Sequence, residues 1–407
     1  MSSPRTAVLA VGTFAVGTSG YIVAGLLPVL SAQLHVSAAA AAQLVTAFAV
    51  AYAVGSPLFA AATGRWERRR LLVAALVVAA IGNTLAALAP TYGLLLAARA
   101  VTAVGAAVFT PVASAVAAQL NPPERRGRAV AAVFGGLALA TIFGVPVGNL
   151  LSQHIGYRAV FGMVAVLSLA GAGAVLAVLP SVAPPAPVPF RDRFTPVRDP
   201  RVVVVLFATI VCCVASFSVY TFISPVLAAT AGLHGTAVSM LLFCYGAGGA
   251  AGNVLGGRAV DRWGSRPPLM AVITLAVVVL AVLPLVARTV TGAAIVLFLW
   301  GMSTWAFNPP VQHRLIELAP QTSGLLLSLN ASAIYLGVGL AGVVGGLVLT
   351  AGGPGVLPEF SSLLDVLGLL AVGFAWQRRQ VGSRGATTSQ SEPGKMSPSC
   401  PSANLTR

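Results

Sequence analysis

Two charged residues stand inside otherwise apolar runs, and they are the first candidates for chemistry. Asp365 lies within LLDVLGLL, and Arg99 lies within LLLAARAVTAVG. A carboxyl buried in such a run could take up and release a proton, because burial disfavours its charged form. At the interface it would only face water. An arginine inside a membrane helix costs roughly 3 kcal/mol or more on insertion scales, so such residues usually serve a pathway or a partner. The other reading of Arg99, about two turns into its helix, is a side chain snorkelling to the outer interface. Glu359 and His154 fall near the outer ends of apolar runs, and His313, Arg314 and Glu317 close another run as gate or surface residues. Enzyme chemistry finds no footing. There are no paired carboxylates, no His cluster, no Ser-His arrangement at workable spacing and no phosphate-binding Gly-x-x-x-x-Gly-Lys-Ser/Thr loop. Cys212, Cys213, Cys244 and Cys400 lack metal-ligand spacing and read as small hydrophobic residues, so no metal or bound cofactor is expected.

The elements that must carry these residues are membrane helices. Of 407 residues, 57% are hydrophobic and only 8% are charged, whereas a soluble surface needs roughly a quarter of residues charged. Apolar runs of about 20 residues follow one another, each able to cross a hydrocarbon core as a helix. They lack the alternation of an outer-membrane barrel strand. Segments 1 to 6 are expected at 6–31, 40–63, 70–90, 92–119, 127–152 and 157–180, and segments 7 to 12 at 201–231, 237–257, 268–287, 290–315, 322–351 and 358–376. The first has no convincing cleavage site and reads as a retained helix.

Arginine placement orients the chain. With the N-terminus inside, sixteen arginines fall in inner loops, and only Arg158 and Arg288 fall outside. That imbalance predicts both termini in the cytoplasm. It also explains the net charge of +15 without any nucleic-acid partner. With 23 Arg against one Lys, the composition suggests a GC-rich bacterial source, hence a multi-pass protein of the bacterial inner or plasma membrane. Residues 181–200 are Pro-rich and charged, as a cytoplasmic linker would be. The polar stretch 377–407 reads as a disordered tail. A shift of 197 residues lays Pro225, Gly252, Arg262, Trp263 and Arg266 on Pro28, Gly55, Arg65, Trp66 and Arg69. The expected fold is therefore all-α, with about twelve transmembrane helices in two pseudo-symmetric six-helix halves, 1–180 and 201–376, and the binding site at the midplane between them.

These motifs resemble those of the major facilitator superfamily, across residues 6–376, and within it the twelve-helix drug:proton antiporters of the chloramphenicol-resistance and arabinose-efflux type. The loop after segment 8, Gly252 to Arg266, is similar to the family's G-x-x-x-[GA]-x-x-x-x-D-R-x-G-R, with Ser265 added before the last arginine. The resemblance implies a cytoplasmic latch made by Gly252, Asp261, Arg262, Gly264 and Arg266, formed in one state of the transport cycle and broken in the other. In the first-half copy, carried by Gly55, Arg65 and Arg69, Gly64 stands where the family has Asp, and Glu67 is the only acid nearby. Arg99 matches the family's arginine in the fourth helix, which implies substrate contact or proton coupling. Gly144, Pro146 and Gly148 resemble the antiporter motif of the fifth helix and imply efflux. In segment 1, Gly20 replaces a carboxylate that relatives often carry, and no Asp or Glu lies inside the first six segments.

The family fold would line the cavity with segments 1, 4, 7 and 10. Tyr21, Phe109, Tyr220, Phe222, Trp300, Trp305, Phe307 and Asn308 are the large or polar side chains available there. An aromatic, mostly apolar wall suits amphipathic drug-like molecules better than free sugars. The leading expectation is a monomeric transporter that exports a small compound such as chloramphenicol, driven by the proton gradient. The alternative is a sugar or metabolite exporter, or a facilitator that needs no proton.

Overall fold

The computed structural model describes residues 4–122, 126–184, 199–318 and 323–387. Most of the expected linker, 185–198, and the tail from 388 onward lie outside the described residues. Among those described, every regular element is helical: α1 (Pro4–Leu34), α2 (Ala38–Ala62), α3 (Arg68–Leu88), α4 (Tyr92–Gln119), α5 (Arg126–Leu139) and α6 (Val145–Val178) in the first half. The second half holds α7 (Pro200–Thr221), α8 (Ile223–Ala231), α9 (Thr236–Trp263), α10 (Arg266–Val286), α11 (Val290–Ala306), α12 (Asn308–Leu318), α13 (Ser323–Gly352) and α14 (Leu357–Thr387). Helices satisfy every backbone group within one segment, which a lipid environment demands.

Among the described residues, ten stretches are long and apolar enough to cross a membrane. One of them, Ala132–Val178, runs 47 residues, which as a continuous helix would span ~70 Å, over twice a hydrocarbon core. Gly156 breaks it with φ 76° and ψ 166°. Only glycine adopts that backbone without strain, so the chain reverses there, between expected segments 5 and 6. Segments 7 and 10 are also interrupted, at Phe222 and at Phe307. The last helix continues to Thr387, past the boundary at 376 where hydropathy ended it, because a polar sequence can stay helical after leaving an apolar environment.

Gly248, Gly252 and Gly256 recur every four residues in segment 8 and form one smooth helix face. A Cβ on Gly248 or Gly252 would strike the backbone of Phe298 or Met302, and one on Gly256 would lie 2.8 Å from the Ala306 carbonyl oxygen. Small residues let α9 and α11 approach to backbone contact. Gly55, the first-half counterpart of Gly252, has no such role, since a Cβ there meets Phe59 at an ordinary 3.5 Å. Gly252→Leu is expected to destabilise the protein by on the order of 3 kcal/mol through overpacking. Gly257→Ala should leave it unchanged, because a Cβ there meets open space. Thermal unfolding of the two purified variants in detergent checks this.

Hydrogen bonds show which loops share an end. Asn121 Nδ2 donates to Thr6 Oγ1 (3.5 Å), Glu67 accepts from the Val182 backbone N–H (2.9 Å), and Ser265 Oγ donates to Glu317 (3.1 Å). These loops carry the arginine clusters. At the opposite end the Tyr92 hydroxyl donates to the Ala40 carbonyl (2.7 Å), and Arg158 donates to the Ala89 carbonyl at the end of α3 (3.2 Å).

Candidate functional site: a cavity between the halves

The two halves meet tightly at the arginine-poor end. There α2 lies on α13, with Thr46 Oγ1 donating to the Gly339 carbonyl (2.9 Å), and a Cβ on Gly346 would sit 3.3 Å from Ala39. Alongside, the start of α6 lies on α9, where Asn149 Nδ2 donates to Ser239 Oγ (3.0 Å). A π-helical turn, Ala140–Gly144, joins α5 to α6, and Gly246 brings α9 against its backbone at Ile142. The motif Gly144, Pro146 and Gly148 follows from this turn. Pro146 follows directly on the π-turn within a continuous helical run, the kind of irregularity that accommodates a proline. A Cβ on Gly144 would strike the Thr18 side chain, and one on Gly148 the Ile22 side chain. These small residues therefore hold α6 close against α1.

Toward the arginine-rich end the halves part around a cavity of about 470 Å³. Among the sequence candidates, Tyr21, Phe307, Asn308 and Asp365 line it. Trp305 does too. Tyr21 stacks on Phe217 (centroids 5.9 Å apart) and meets Trp305 edge-on (6.1 Å). Tyr52 and Tyr335, from opposite halves, stack at 3.5 Å. The second-half wall also carries a row of amides: Gln312 and Asn330 donate to Asn308 Oδ1 (3.2 and 3.5 Å), and Thr209 donates to Asn330 Oδ1 (3.4 Å). Asp365 is 1% exposed, and its Oδ2 has no hydrogen-bond partner. The solvated-interface reading of Asp365 is thereby excluded. Cys212 and Cys213 line the same wall. Among the described residues, no lysine or arginine does.

The other candidates sit elsewhere. Tyr220 is not on the wall: it is packed between Tyr245 and Trp300, with ring centroids 4.9 and 6.4 Å away. Phe109, Phe222 and Trp300 are fully buried in helix contacts and do not line the cavity either. Bulky rings fill interhelical space as readily as they line a void, and an all-apolar segment gives no facing pattern to tell the two apart. Arg99 is 0% exposed, which excludes snorkelling. Its guanidinium donates to the Ser19 carbonyl (2.8 Å) and the Gly20 carbonyl (3.4 Å) of α1, under the Phe48 ring at 4.5 Å. Behind it, Ser19 Oγ donates to Asn83 Oδ1 (2.8 Å). Tyr52, Tyr335, Asn330 and Gln312 escaped the sequence reading, although amides inside apolar runs were a visible signal for the last two.

The latch residues fall at the arginine-rich end. Asp261, Arg262 and Arg266 are exposed, and the ion pairs among the described residues join Glu317 to His313 (3.2 Å) and to Arg314 (3.1 Å) instead. Ser265, the residue added to the pattern, ties the α9–α10 turn to that same Glu317. Gly264 has φ 72° and turns the chain there. In the first half Arg65 is exposed, and Arg69 donates to the Leu179 carbonyl (3.3 Å). Glu67 caps α3, accepting from the N–H groups of Arg69 and Arg70 (2.9 and 2.8 Å) as well as Val182. It therefore anchors the start of the linker. Burial raises the Glu67 carboxyl, but those three N–H donors and the Arg69 charge outweigh it, and its pKa lies below the ordinary value. Its stabilising contribution is thus complete above the ordinary range near pH 4.3 and is lost as pH falls through the lowered pKa. Glu67→Ala should cost about 1 kcal/mol at neutral pH and flatten the acid limb of a stability-against-pH curve.

Two pseudo-symmetric helix bundles, closed at one end around a cavity between them, define a membrane transporter. The Major Facilitator Superfamily profile matches residues 9–342 and again 206–392, and the chain belongs to that superfamily, whose members are transporters and not enzymes. It is 35% identical over 378 residues to the inner membrane transport protein YdhP of Escherichia coli, covering 91% of this chain and 95% of that one. It is 32% identical over 381 residues to a chloramphenicol resistance protein of Streptomyces lividans, with 90% and 95% covered. Among solved structures, a D-xylose–proton symporter superposes with a TM-score of 0.73 at 15% identity, covering 92% of this chain and 97% of the symporter, a likeness of fold.

Proposed function

We propose that the protein lies in a bacterial inner membrane with twelve crossings and both termini in the cytoplasm, and exports a small, mainly apolar drug-like molecule in exchange for protons. The observation that carries this reading is the cavity itself, which is aromatic and, among the described residues, free of basic side chains and holds one buried carboxyl, Asp365. With the arginine-rich end inside, the cavity opens to the cytoplasm, where an exporter collects its cargo. The exposed, unlatched Asp261 and Arg262 fit that state. Substrate enters between Tyr21, Phe217 and Trp305, its polar groups meet Asn308, Gln312 and Asn330, and rocking of the halves opens the other end. Asp365 carries the proton, in place of the carboxylate that α1 lacks.

The relative named for chloramphenicol resistance supports the choice of that drug as the first substrate to test. The amide row keeps a hydroxylated metabolite as a second reading, but a wall this apolar supplies few partners for a free sugar. The test is drug accumulation in a susceptible strain lacking its own pumps. Cells holding the protein should accumulate several-fold less chloramphenicol, and an uncoupler should restore the level. Equal accumulation for chloramphenicol and a panel of amphipathic antibiotics, with the protein present in the membrane, would reject the drug reading.

A further inference from the structure

A second cavity, of about 330 Å³, lies at the closed, arginine-poor end. It is separate from the first and also straddles the halves: Leu27, Pro28, Ser31 and Asn149 face Ser224 and His234 across it. Its size falls within the range of small-molecule sites, roughly 300–1,000 Å³. Its polar groups point to a ligand. Ser224 is 93% buried, being 7% exposed, and its hydroxyl has no hydrogen-bond partner. The Ser31 hydroxyl is unpartnered as well. Leaving a buried hydroxyl unpaired costs on the order of 1–3 kcal/mol, so this pair of serines is set to be satisfied by something that enters. Asn149 spends its Nδ2 on Ser239, and Gln153 spends its Nε2 on the Asn149 carbonyl at 3.4 Å. Among the described residues, the side chains lining the cavity include no Asp, Glu, Lys or Arg, and His234 is the titratable group there.

We propose that this outer vestibule is a second binding site, for a small neutral molecule bearing hydroxyl or amide groups. A cation is disfavoured, because the described wall residues include no carboxylate, and an anion would find only His234. A hydroxyl or amide can both donate to and accept from Ser224 and Ser31, while its carbon skeleton lies on Leu27, Pro28 and Leu233. Since both halves contribute wall, an occupant bridges them at the end where they must separate. It therefore favours the state shown here and must leave before rocking proceeds. The placement of this vestibule outside the cell rests on the orientation proposed above; the site itself does not.

The test uses full-length protein in intact cells and in inverted vesicles, with Cys244 and Cys400 replaced by Ala. Ser224→Cys is introduced, and labelling by a membrane-impermeant maleimide is followed over time. Ser31→Cys serves as the second variant in case the first fails to fold, and the parent without either cysteine gives the background. N-acetylglucosamine is the neutral probe and tetraphenylphosphonium the charged one. Labelling should occur in intact cells and slow about fivefold with N-acetylglucosamine at about four times its Kd, since the free fraction falls as 1/(1 + [L]/Kd). Tetraphenylphosphonium should not slow it. Labelling without protection by N-acetylglucosamine, equal protection by both probes, or no labelling from either face would overturn the site. Labelling only in inverted vesicles, with protection intact, would overturn the orientation and leave the site standing.

Discussion

Asp365→Asn should abolish uncoupler-sensitive export while leaving the protein folded in the membrane. The amide keeps the shape of the carboxyl and loses only the ability to exchange a proton. Asp365 is 1% exposed and faces the cavity, and no ion pair to it exists among the described residues. Ionising a carboxyl in such a place costs several kcal/mol. A barrier about 3 kcal/mol higher slows a step by roughly a hundredfold. The empty halves should therefore return readily when Asp365 is neutral and poorly when it is charged, whereas the drug-loaded halves should rock with the carboxyl deprotonated, and that alternation would exchange a proton for a drug molecule. In the Asp365→Asn protein the neutral state is permanent. Downhill exchange of drug across vesicles should persist within about threefold, while uphill export falls at least tenfold. Asp365→Glu should keep part of the activity. Uphill export at the wild-type rate in the Asp365→Asn variant would remove Asp365 from the coupling role.

How far the sequence announced this arrangement depends on the kind of information each residue carries. Hydropathy and arginine placement outlined the helices and the two halves, because crossing a bilayer constrains every residue of a segment at once. The stripe Gly248, Gly252, Gly256 was legible for a similar reason: a fixed spacing on a helix defines a face without knowledge of the neighbour. Facing was the missing information. In α7 the polar side chains near these rings, Ser216, Ser218 and Thr221, are small and mark no single face, so nothing in the chain distinguished Phe217, which lines the cavity, from Tyr220, which packs on Tyr245. Asp365 stood out because a charge in an apolar run is costly wherever it points, yet its burial came only with the packing of α14 on α7. Glu67 shows the opposite failure. In sequence it is only the acid nearest the first-half latch, whereas its carboxylate caps α3 and also holds Val182, more than a hundred residues away. The interruption at Phe307 was likewise invisible, since Pro309 and Pro310 mark a break without fixing its direction.

Arg99→Ala should lower export at least tenfold, and Arg99→Lys should not restore it. The reason lies in how the guanidinium is held. It is completely buried, it bridges the Ser19 and Gly20 carbonyls of α1, and it lies between the rings of Phe48 and Phe161, 4.5 and 5.8 Å from its centre. A planar fork that spans two carbonyls and stacks on a ring has no equivalent in a lysine ammonium. Arg99 thus ties α4 to α1 within the first half, immediately before Tyr21, which lines the cavity. In this reading it positions the α1 backbone under Tyr21 and touches no substrate itself. Truncation also leaves a void that should cost about 3 kcal/mol, so lowered stability alone would not establish the positioning role. The decisive readout is the split between affinity and turnover. Loss of position under Tyr21 should weaken drug binding to purified protein, measured by tryptophan quenching at Trp305, and Tyr21→Ala should weaken it similarly without further loss in the double variant. Unchanged binding and export in Arg99→Ala protein with a lowered melting temperature would reduce Arg99 to a packing residue.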